Sequence, residues 1–349
     1  MANVSHRTAV AVPAVTPKVS VVIPVLNRPV AVRRAIDSVL AQTLQDFELI
    51  VVDDGSTDET VAAVEACVDP RIKLARHDRR RGGSAARNTG IRAGSAPYVA
   101  FLDSDDEWLP TKLQRQFEVF ERSDEDLALV YTGAEWVYAD GTVQTVIPRR
   151  YADLAHRLLT ANVVGEASVG MVRRTALNEI GVFDESLPSC QDMDLWLRIC
   201  ERFRADVVSE ALVRVTKGNE RRITNNVAAA LRGRELFCDK HREKQIRHRV
   251  LHLYLRKSGW WQQRRVRDSR VARRLYLESL GAKPVAPLTY VLLLSTYAPM
   301  SYLDIMARCK QFVIRLLRLG PQPHSVEYLD HLATTTNLRP KETGESSPS

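Results

Sequence analysis

Two acidic turns contain the residues of this chain that are best suited to chemistry. The first runs Asp53-Asp54-Gly55-Ser56-Thr57-Asp58, and the second runs Asp103-Ser104-Asp105-Asp106. Each turn follows an apolar run that is typical of a buried parallel strand, and parallel sheets bind ligands beyond the carboxyl ends of their strands. Carboxylates gathered there need a cation, and Mg²⁺ or Mn²⁺ prefers carboxylate and phosphate oxygens. The two turns therefore indicate a site for a metal ion and a diphosphate.

The residues around these turns predict strands that alternate with helices. Runs of Val, Ile, Leu and Phe predict strands at 19–24, 47–53, 71–77 and 98–103. Apolar residues at helical spacing predict helices between and after the strands, as in Val32, Ile36, Val39 and Leu40 or Leu113, Phe117 and Phe120. Parallel neighbours need a crossover of this length, so the pattern predicts an α/β fold with a doubly wound, mainly parallel sheet.

Five segments in this order resemble the family 2 glycosyltransferases of GT-A fold. They are the segments VVIPVLN at 21–27, DDGSTD at 53–58, GSAARN at 83–88, DSDD at 103–106 and QDMDLWLR at 191–198. Each is common by itself, since Asp-x-Asp also forms solvated turns and helix caps, and Asp-Gly-Ser is an ordinary turn. Their combined order is specific, and the resemblance covers about residues 18 to 240. It implies the nucleotide-diphospho-sugar transferase fold and an inverting, metal-dependent transfer.

The resemblance also implies a role for each acidic residue. Asp54, with Asp53 beside it, would accept a hydrogen bond from the ring nitrogen of a uracil-type base. Asp103 would contact the ribose or the donor sugar, and Asp105 would ligate Mn²⁺ or Mg²⁺. Asp192 resembles the catalytic base of the family.

Other polar residues of the same motifs would bind the nucleotide-sugar. Pro24 and its neighbours would line the base pocket, and Asn27 ends that motif. Arg87 and Asn88 would steady the nucleotide-sugar and the acidic loop. Leu26 stands where many members of the family have an aromatic ring.

The chemistry open to Asp192 is general base catalysis. An acceptor hydroxyl has a pKa far above seven, so a carboxylate must take its proton as the oxygen attacks the anomeric carbon. The diphosphate would leave from the opposite side, which inverts the configuration. Gln191 precedes Asp192 where the family often has Glu. Asp192 also opens a predicted helix, where it could serve as the N-cap, and the two roles are compatible.

Composition fits a cytoplasmic enzyme. The 349 residues are 45% hydrophobic and 26% charged, which is typical of soluble globular proteins. Five cysteines without paired spacing indicate reduced thiols, and no Cys/His cluster has the spacing of a zinc site. The apolar stretch at 9–15 is interrupted by Pro13 and is too weak for a secretory signal.

Charge is divided unevenly along the chain. Residues 217–320 contain 23 Lys and Arg against 7 Asp and Glu, which gives +16 and leaves −8 for the remainder. We expect a flexible lead at 1–17, a GT-A domain at 18–240, a basic helical tail at 241–320 and a disordered tail at 321–349. Within the domain we expect a nucleotide-sugar half at 18–125 and an acceptor half at 126–240, with a hairpin at 128–147 that turns at Asp140-Gly141.

The tail leaves three alternatives open. Residues 284–303 are 20 uncharged residues, long enough to span a membrane, but prolines interrupt them and basic residues flank them. Ile305, Cys309, Phe312 and Leu316 then share one helical face, with arginines on another. Such a helix can lie on an anionic membrane or cap its own domain. We expect peripheral association with the cytoplasmic face of a membrane.

We expect this chain to transfer one sugar from a nucleotide-diphosphate donor, with UDP favoured, to a hydroxyl of a surface glycan or its lipid-linked precursor. A processive synthase would need Gln-x-x-Arg-Trp, but Val266 follows the segment QQRR at 262–265. A dinucleotide oxidoreductase would need Gly-x-Gly-x-x-Gly after the first strand. The sequence contains no recognised nucleic-acid module, so nucleic acid is not an expected partner. A non-catalytic scaffold that binds nucleotide or lipid is the alternative, and the presence of Asp54, Asp105 and Asp192 together argues against it.

Overall fold

The computed structural model describes residues 16–217, 227–263 and 269–297. The chain divides into two compact units. The first, here called the sheet unit, comprises Met1–Tyr151, Val164–Glu185 and Arg198–Thr216. The second, here called the helical unit, comprises Ala152–Val163, Ser186–Leu197 and Lys217–Ser349.

The sheet unit contains the strands of the described residues. They are β1 Val19–Val25, β2 Phe47–Asp53, β3 Ile72–Arg76, β4 Tyr98–Phe101, β5 Asp106–Trp108, β6 Leu127–Val137, β7 Val143–Val146, β8 Gly170–Arg173 and β9 Arg204–Thr216. Its helices are α1 Pro29–Leu40, α2 Thr60–Glu65, α3 Gly83–Ala93, α4 Lys112–Glu121 and α6 Arg174–Ile180. The four strands predicted from apolar runs match β1 to β4 within two residues at each end.

The strands form one mixed sheet in the order β3-β2-β1-β4-β8-β6-β9-β5, with β7 beside β6. The first four are parallel, since β1 pairs with β2 and β4 and β2 pairs with β3 in that sense. Beyond them β8 is antiparallel to β4 and β6, and β6 is parallel to β9. The α/β class is thus confirmed, and the parallel arrangement holds in the half of the sheet whose strands β2 and β4 lead into the two acidic turns. The second half is mixed, because β6 turns back through a hairpin and β8 enters between β4 and β6.

Local residue types explain the two connections that matter most. In the predicted hairpin, Gly141 adopts φ 82 between β6 and β7, and Asp140 Oδ1 accepts a hydrogen bond from Thr142 N at 2.9 Å. In α3, a Cβ at Gly90 would lie 2.3 Å from a methyl carbon of Val22 on β1. Glycine therefore lets α3 pack closely against the central strand, although glycine in a helix costs about 1 kcal/mol relative to alanine.

The helical unit is built from helices along most of its described length. They are α5 Leu154–Leu158, the start of α7 Gln191–Cys200, α8 Val227–Arg247, α9 Leu251–Trp261, α10 Ser269–Ala282 and α11 Pro287–Ser295. Ala272, Tyr276 and Leu292 form a buried cluster in this unit, against which Trp260 and Leu293 pack. Helix α8 continues without a break across the boundary expected at residue 240.

In the part of the chain that the structure describes, no helix is both long enough and apolar enough to cross a membrane. Helix α11 accounts for nine of the uncharged residues at 284–303. Residues 1–15 of the predicted flexible lead at 1–17, the predicted amphipathic helix around 305–316 and the predicted disordered tail at 321–349 lie outside the described residues.

Candidate active site

The carboxyl end of β1 is joined to the turn after β2. Pro24 lies near the end of β1 in register with Val52 of β2. Asn27 has φ 51, a left-handed conformation that asparagine adopts more readily than most residues. Its backbone N donates to Ser56 Oγ at 2.9 Å, and its Oδ1 accepts from Thr57 N at 2.9 Å. Asn27 therefore fixes the two strand ends relative to each other.

The carboxylates of the first acidic turn bind mainly backbone N–H groups. Asp53 is fully buried, and its oxygens lie 3.2 and 3.3 Å from Ser56 N. Asp54 Oδ1 accepts from Arg81 N at 2.8 Å, and Oδ2 accepts from Gly82 N at 2.8 Å. His77 Nδ1 lies 2.8 Å from Asp54 Oδ1. Asp54 thus anchors the loop between β3 and α3.

Gly55 explains how this loop approaches the turn. It adopts φ 81, and a Cβ at this position would lie 2.7 Å from the carbonyl carbon of Arg79. Both the positive φ and the close backbone contact require glycine. The Asp-Asp-Gly sequence therefore encodes the contact as well as the turn.

The carboxylates of the second acidic turn pair with arginines. Arg87 of α3 donates to Asp103, which is partly exposed. Arg28 Nη1 lies 3.0 Å from Asp105 Oδ1, and only 5% of the Asp105 side chain is exposed. Asp106 Oδ2 accepts from Ser168 Oγ at 2.8 Å, and Ser168 Oγ also accepts from Asp103 N.

Arg28 brings the two turns to the same edge of the sheet. It directly follows Asn27, and its backbone N donates to Thr60 Oγ1 at 2.7 Å. Its guanidinium reaches the second turn, where it contacts Asp105 and also Ser104 Oγ at 3.4 Å. Because β1 is parallel to β2 and β4, their carboxyl ends share one edge, which this contact confirms for the two turns.

Asn88 lies behind this edge. Its Nδ2 donates to Phe183 O and Glu185 Oε1, each at 2.9 Å, and its Oδ1 accepts from Phe183 N at 3.0 Å. The neighbouring Arg87 guanidinium lies 5.3 Å from the centre of the Phe183 ring. In this structure Asn88 holds the segment at 183–185 in place, and Arg87 connects that segment to the second acidic turn.

Asp192 belongs to the helical unit, whereas the other predicted site residues lie in the sheet unit. Helix α7 begins at Gln191, after Cys190 at φ 62, so Asp192 lies inside the first helical turn. The N-cap role considered for Asp192 is therefore wrong, because the helix begins one residue before it. Its neighbour Asp194 is fully buried, with Oδ1 at 2.9 Å from Lys240 Nζ and 2.8 Å from His241 Nε2.

Glycine on α8 allows this helix to reach the start of α7. A Cβ at Gly233 would lie 2.2 Å from Ser189 Oγ and 2.6 Å from the Ser189 carbonyl oxygen. Ser189 Oγ also lies 3.3 Å from Ala230 O, to which it donates. Together with the contacts of Asp194, these interactions fix the helical turn that carries Asp192.

Sequence reasoning missed several residues that position the site. Arg28 could have been found, because it adjoins the VVIPVLN segment, and His77 because it ends a predicted strand at the ligand edge. Ser168, Lys240 and His241 had no such signal, because each lies far along the chain from the acidic residue that it contacts.

The residues of the second turn fit a hard divalent cation. Among residues 16–217, 227–263 and 269–297, no group of three or more His, Cys, Asp or Glu side chains is arranged to hold a metal ion by itself. Mg²⁺ is commonly held by one or two carboxylates together with substrate phosphates, which requires no such group. Asp105 supplies the carboxylate, and Arg28 occupies it in this structure.

Comparison of sequences identifies the family. A family model described as Glycosyl transferase family 2 matches residues 20–181. The Escherichia coli protein named UDP-Glc:alpha-D-GlcNAc-diphosphoundecaprenol beta-1,3-glucosyltransferase WfgD is 33% identical over 182 residues, which cover 52% of this chain and 69% of WfgD. An uncharacterized glycosyltransferase of Rickettsia felis is 32% identical over 190 residues, which cover 52% of this chain but only 31% of that relative. The chain therefore spans less than a third of the length of the Rickettsia protein.

Solved structures share the fold. S. aureus TarS in complex with UDP-GlcNAc has a TM-score of 0.56 at 18% identity, covering 80% of this chain and 84% of that one. The mannosyltransferase PcManGT from Pyrobaculum calidifontis, in complex with GDP-Man and Mn²⁺, has a TM-score of 0.53 at 20% identity, covering 82% and 81%. These likenesses confirm the GT-A fold expected from the sequence. From its motifs, its acidic sheet edge and these relatives, the chain belongs to glycosyl transferase family 2.

Proposed function

We propose that this protein transfers a single sugar from a nucleotide-diphosphate donor to a hydroxyl acceptor, with inversion at the anomeric carbon. The observation that carries the proposal is the sheet edge where Asn27 binds the first acidic turn and Arg28 binds the second. That edge combines base-facing carboxylates with carboxylate and guanidinium groups suited to a diphosphate and its cation.

The donor would lie along this edge. Pro24, Asn27, Asp53 and Asp54 would form the base side. Arg87 and Asn88 would steady the nucleotide-sugar and the acidic loop, and Asp103 would contact the ribose or the donor sugar. The guanidinium groups of Arg28 and Arg87 are suited to phosphate oxygens. UDP is the favoured nucleotide, because WfgD is named for UDP-Glc and the TarS complex is named for UDP-GlcNAc.

Asp105 would be the protein ligand of Mn²⁺ or Mg²⁺. When bound, the ion would supply positive charge that stabilises the departing diphosphate. Support comes from the Asp105 carboxylate and from the Mn²⁺ in the name of the PcManGT complex. Arg28 would have to exchange its contact with Asp105 for another partner, such as a phosphate oxygen.

Asp192 would remove the proton from the acceptor hydroxyl. A base of this kind must be held in a fixed direction. The contacts of the buried Asp194 restrain the first turn of α7. The close packing of Gly233 against Ser189 restrains the residues just before that turn. The attack of the hydroxyl oxygen on the anomeric carbon and the departure of the diphosphate then occur in one displacement.

The acceptor would be a growing surface glycan or its lipid-linked precursor. WfgD is named for a diphosphoundecaprenol-linked acceptor, and the Rhizobium meliloti relative ExoO, 45% identical over 102 residues, is named for succinoglycan biosynthesis. An acceptor of that kind would place the enzyme at the cytoplasmic face of a membrane.

The test is a panel of UDP- and GDP-sugars offered to the wild type and to Asp192→Asn. Asn keeps the size of the side chain but cannot accept the proton, so we expect turnover to fall by about 10² or more while donor affinity stays unchanged. Asp239→Asn, on an exposed position of α8, is the matched control. Full turnover by Asp192→Asn would identify another base. Donor binding without transfer or hydrolysis in the wild type would instead favour the non-catalytic scaffold.

A further inference from the structure

Helix α11 buries two hydroxyl residues and exposes most of its apolar residues. In a globular protein a surface helix turns its apolar face inward and its polar face to water. In α11 the buried positions are Thr289, Leu292 and Ser295, whereas Tyr290, Val291 and Leu294 face outward. The outward residues share one helical face by their spacing. No charged residue occurs within the helix.

Two of the inward hydroxyls, those of Ser295 and Thr296, have hydrogen-bond partners inside the helical unit, whereas Thr289 Oγ1 is buried without one among the described residues. Ser295 Oγ donates to Leu292 O at 2.6 Å and accepts from Gln263 Nε2 at 3.3 Å. Thr296 Oγ1 donates to Leu293 O at 2.7 Å. The bond from Gln263 and the packing of Leu292 in the buried cluster fix the rotation of α11, and Tyr290, Val291 and Leu294 are then directed outward.

The exposed apolar surface is concentrated in this segment. Six of the thirteen large apolar side chains that are exposed among the described residues fall within 285–297. They are Val285, Leu288, Tyr290, Val291, Leu294 and Tyr297, here called the α11 face. Leu294 is 70% exposed and Val285 is 83% exposed. Exposed apolar residues concentrated in one segment often mark an interaction site.

Basic residues lie at both ends of the α11 face. Lys283 is exposed just before it. At the other end the Arg273 guanidinium lies 3.8 Å from the centre of the Tyr297 ring, and its Nε donates to Thr296 Oγ1 at 3.1 Å. The surrounding region, residues 217–320, carries a formal charge of +16. An aromatic and aliphatic face flanked by cations matches the boundary between lipid headgroups and acyl chains.

We propose that the α11 face is a docking surface for an anionic lipid bilayer. Leu288, Val291 and Leu294 insert among the acyl chains, and Tyr290 and Tyr297 lie at the level of the headgroups. Arg273 and Lys283 bind the lipid phosphates. The charge favours lipid over a second copy of this chain, because two regions of the same strong positive charge repel each other whereas an anionic leaflet attracts them. The proposal does not depend on the sugar-transfer chemistry.

The experiment is co-sedimentation of the full chain with vesicles of phosphatidylcholine, alone or mixed with phosphatidylglycerol. The wild type should bind the mixed vesicles and bind the neutral ones much more weakly. Leu294→Glu should reduce affinity for the mixed vesicles at least about tenfold, because it removes an inserted aliphatic side chain and adds a like charge. Thermal unfolding without vesicles should not change, since Leu294 is exposed.

Ile246→Glu is the matched control. Ile246 is also an exposed aliphatic residue on a helix of the same unit, 56% exposed on α8, and the substitution changes net charge equally. We expect it to reduce vesicle affinity less than about fivefold, which is the effect of one charge near the surface. Equal loss in both variants would overturn the role of the α11 face, and so would wild type that does not bind mixed vesicles.

Two further outcomes would identify a different occupant and overturn the proposal. If Leu294→Glu lowers the unfolding temperature, the face is covered by another part of the same chain. If light scattering shows a wild-type dimer that Leu294→Glu converts to a monomer, a second copy covers the face. Nucleotide-sugar hydrolysis measured without vesicles should be equal in wild type and Leu294→Glu, so a failed docking test leaves the proposed function untouched.

Discussion

The two acidic turns hold their carboxylates by different partners. In the first turn, Asp54 accepts hydrogen bonds from the backbone N–H groups of Arg81 and Gly82. In the second turn, Asp105 is held by the guanidinium of Arg28, on a long side chain. A backbone N–H cannot leave without moving the loop, whereas an arginine side chain can rotate away. The first turn is therefore built as a fixed support, and the second can exchange one cation for another.

This difference assigns separate tasks to residues of the same type. A carboxylate that supports a loop contributes to stability, and its loss affects the ligand through the loop. A carboxylate that is paired with an arginine becomes available to a metal ion when the arginine binds phosphate oxygens instead. Substitution of Asp54 should therefore lower stability and leave Mn²⁺ affinity intact. Substitution of Asp105 should leave stability nearly unchanged and lower the Mn²⁺-dependent affinity for the donor.

The largest effect is expected for Asp105→Asn. The amide keeps the size of the side chain but loses the charge that would bind the ion. Mn²⁺-dependent donor affinity should fall by about 10² or more, while the free energy of unfolding changes by less than about 1 kcal/mol. Calorimetric titration of UDP-sugar with Mn²⁺ or with chelator measures the first quantity. Equal donor affinity with and without chelator in the wild type would contradict a metal role for Asp105.

Asp54→Asn tests the supporting turn. An asparagine cannot accept from Arg81 N and Gly82 N with both side-chain atoms, because its Nδ2 is a donor. We expect a loss of about 2 kcal/mol in the free energy of unfolding, measured with urea, since hydrogen bonds to charged groups are worth about 1.5–3 kcal/mol. Mn²⁺ affinity measured without donor should be retained. If Asp54→Asn kept full stability but lost its affinity for Mn²⁺, the supporting role assigned to the first turn would be contradicted.

Arg28→Gln tests whether the Arg28 guanidinium and a metal ion compete for Asp105. Removing a positive charge 3.0 Å from Asp105 should raise the affinity for Mn²⁺ alone by about tenfold, because the ion no longer competes with the guanidinium. Electron paramagnetic resonance of free Mn²⁺ gives the affinity without any turnover. Arg76→Gln is the matched control, since Arg76 lies 3.9 Å from Asp53 at the other turn and is largely exposed. Equal effects of both substitutions would indicate a general change of charge.

Glu48 provides the smallest test, because this residue of β2 has both kinds of partner. Burial would raise the pKa of Glu48, but hydrogen bonds from Lys73, Ser20 and the backbone N–H groups of Ser95 and Ala96 outweigh it and lower the pKa to about 2. A pKa lowered from 4.5 stabilises the fold above about pH 4.5, and this contribution is lost as the pH falls toward 2.

The corresponding variant is Glu48→Gln. It should be less stable than the wild type by about 1 kcal/mol at pH 7, a figure reduced because Lys73 is half exposed. The difference should shrink as the pH falls from 4.5 to 2. Urea midpoints at pH 7, 4.5 and 2.5 measure it. A constant difference across this range would mean that packing, and not the carboxylate charge, stabilises this position.

Much of the site could be predicted from the sequence because its signals are local. Apolar runs mark β1 to β4, and each acidic turn follows its strand directly, so parallel pairing alone places the carboxylates at one edge. The same holds for Asp192, since the apolar pattern that follows it defines the start of α7. The expected parallel pairing holds for β1 to β4, but β6 and β8 are antiparallel. The local pattern could not predict this pairing, because it depends on contacts between distant segments.

The partners of the carboxylates could not be predicted in the same way. Arg28 and Asp105 are 77 positions apart, and Ser168 lies 62 positions from Asp106. No periodicity connects such pairs, because the contact depends on how strands and helices pack. The orientation of α11 is of the same kind, since its composition is apolar around most of the helix and packing alone selects the face turned outward.

The sequence by itself thus determined which residue types stand at the ends of the strands, because a strand, its turn and its polar cap are encoded within a few residues. The tertiary structure decided which of those carboxylates is held by fixed backbone groups and which by a movable arginine. It also decided that the apolar side of α11 faces away from the helical unit. Both results depend on long-range packing, in which the energy of one contact is set by elements that the local sequence does not contain.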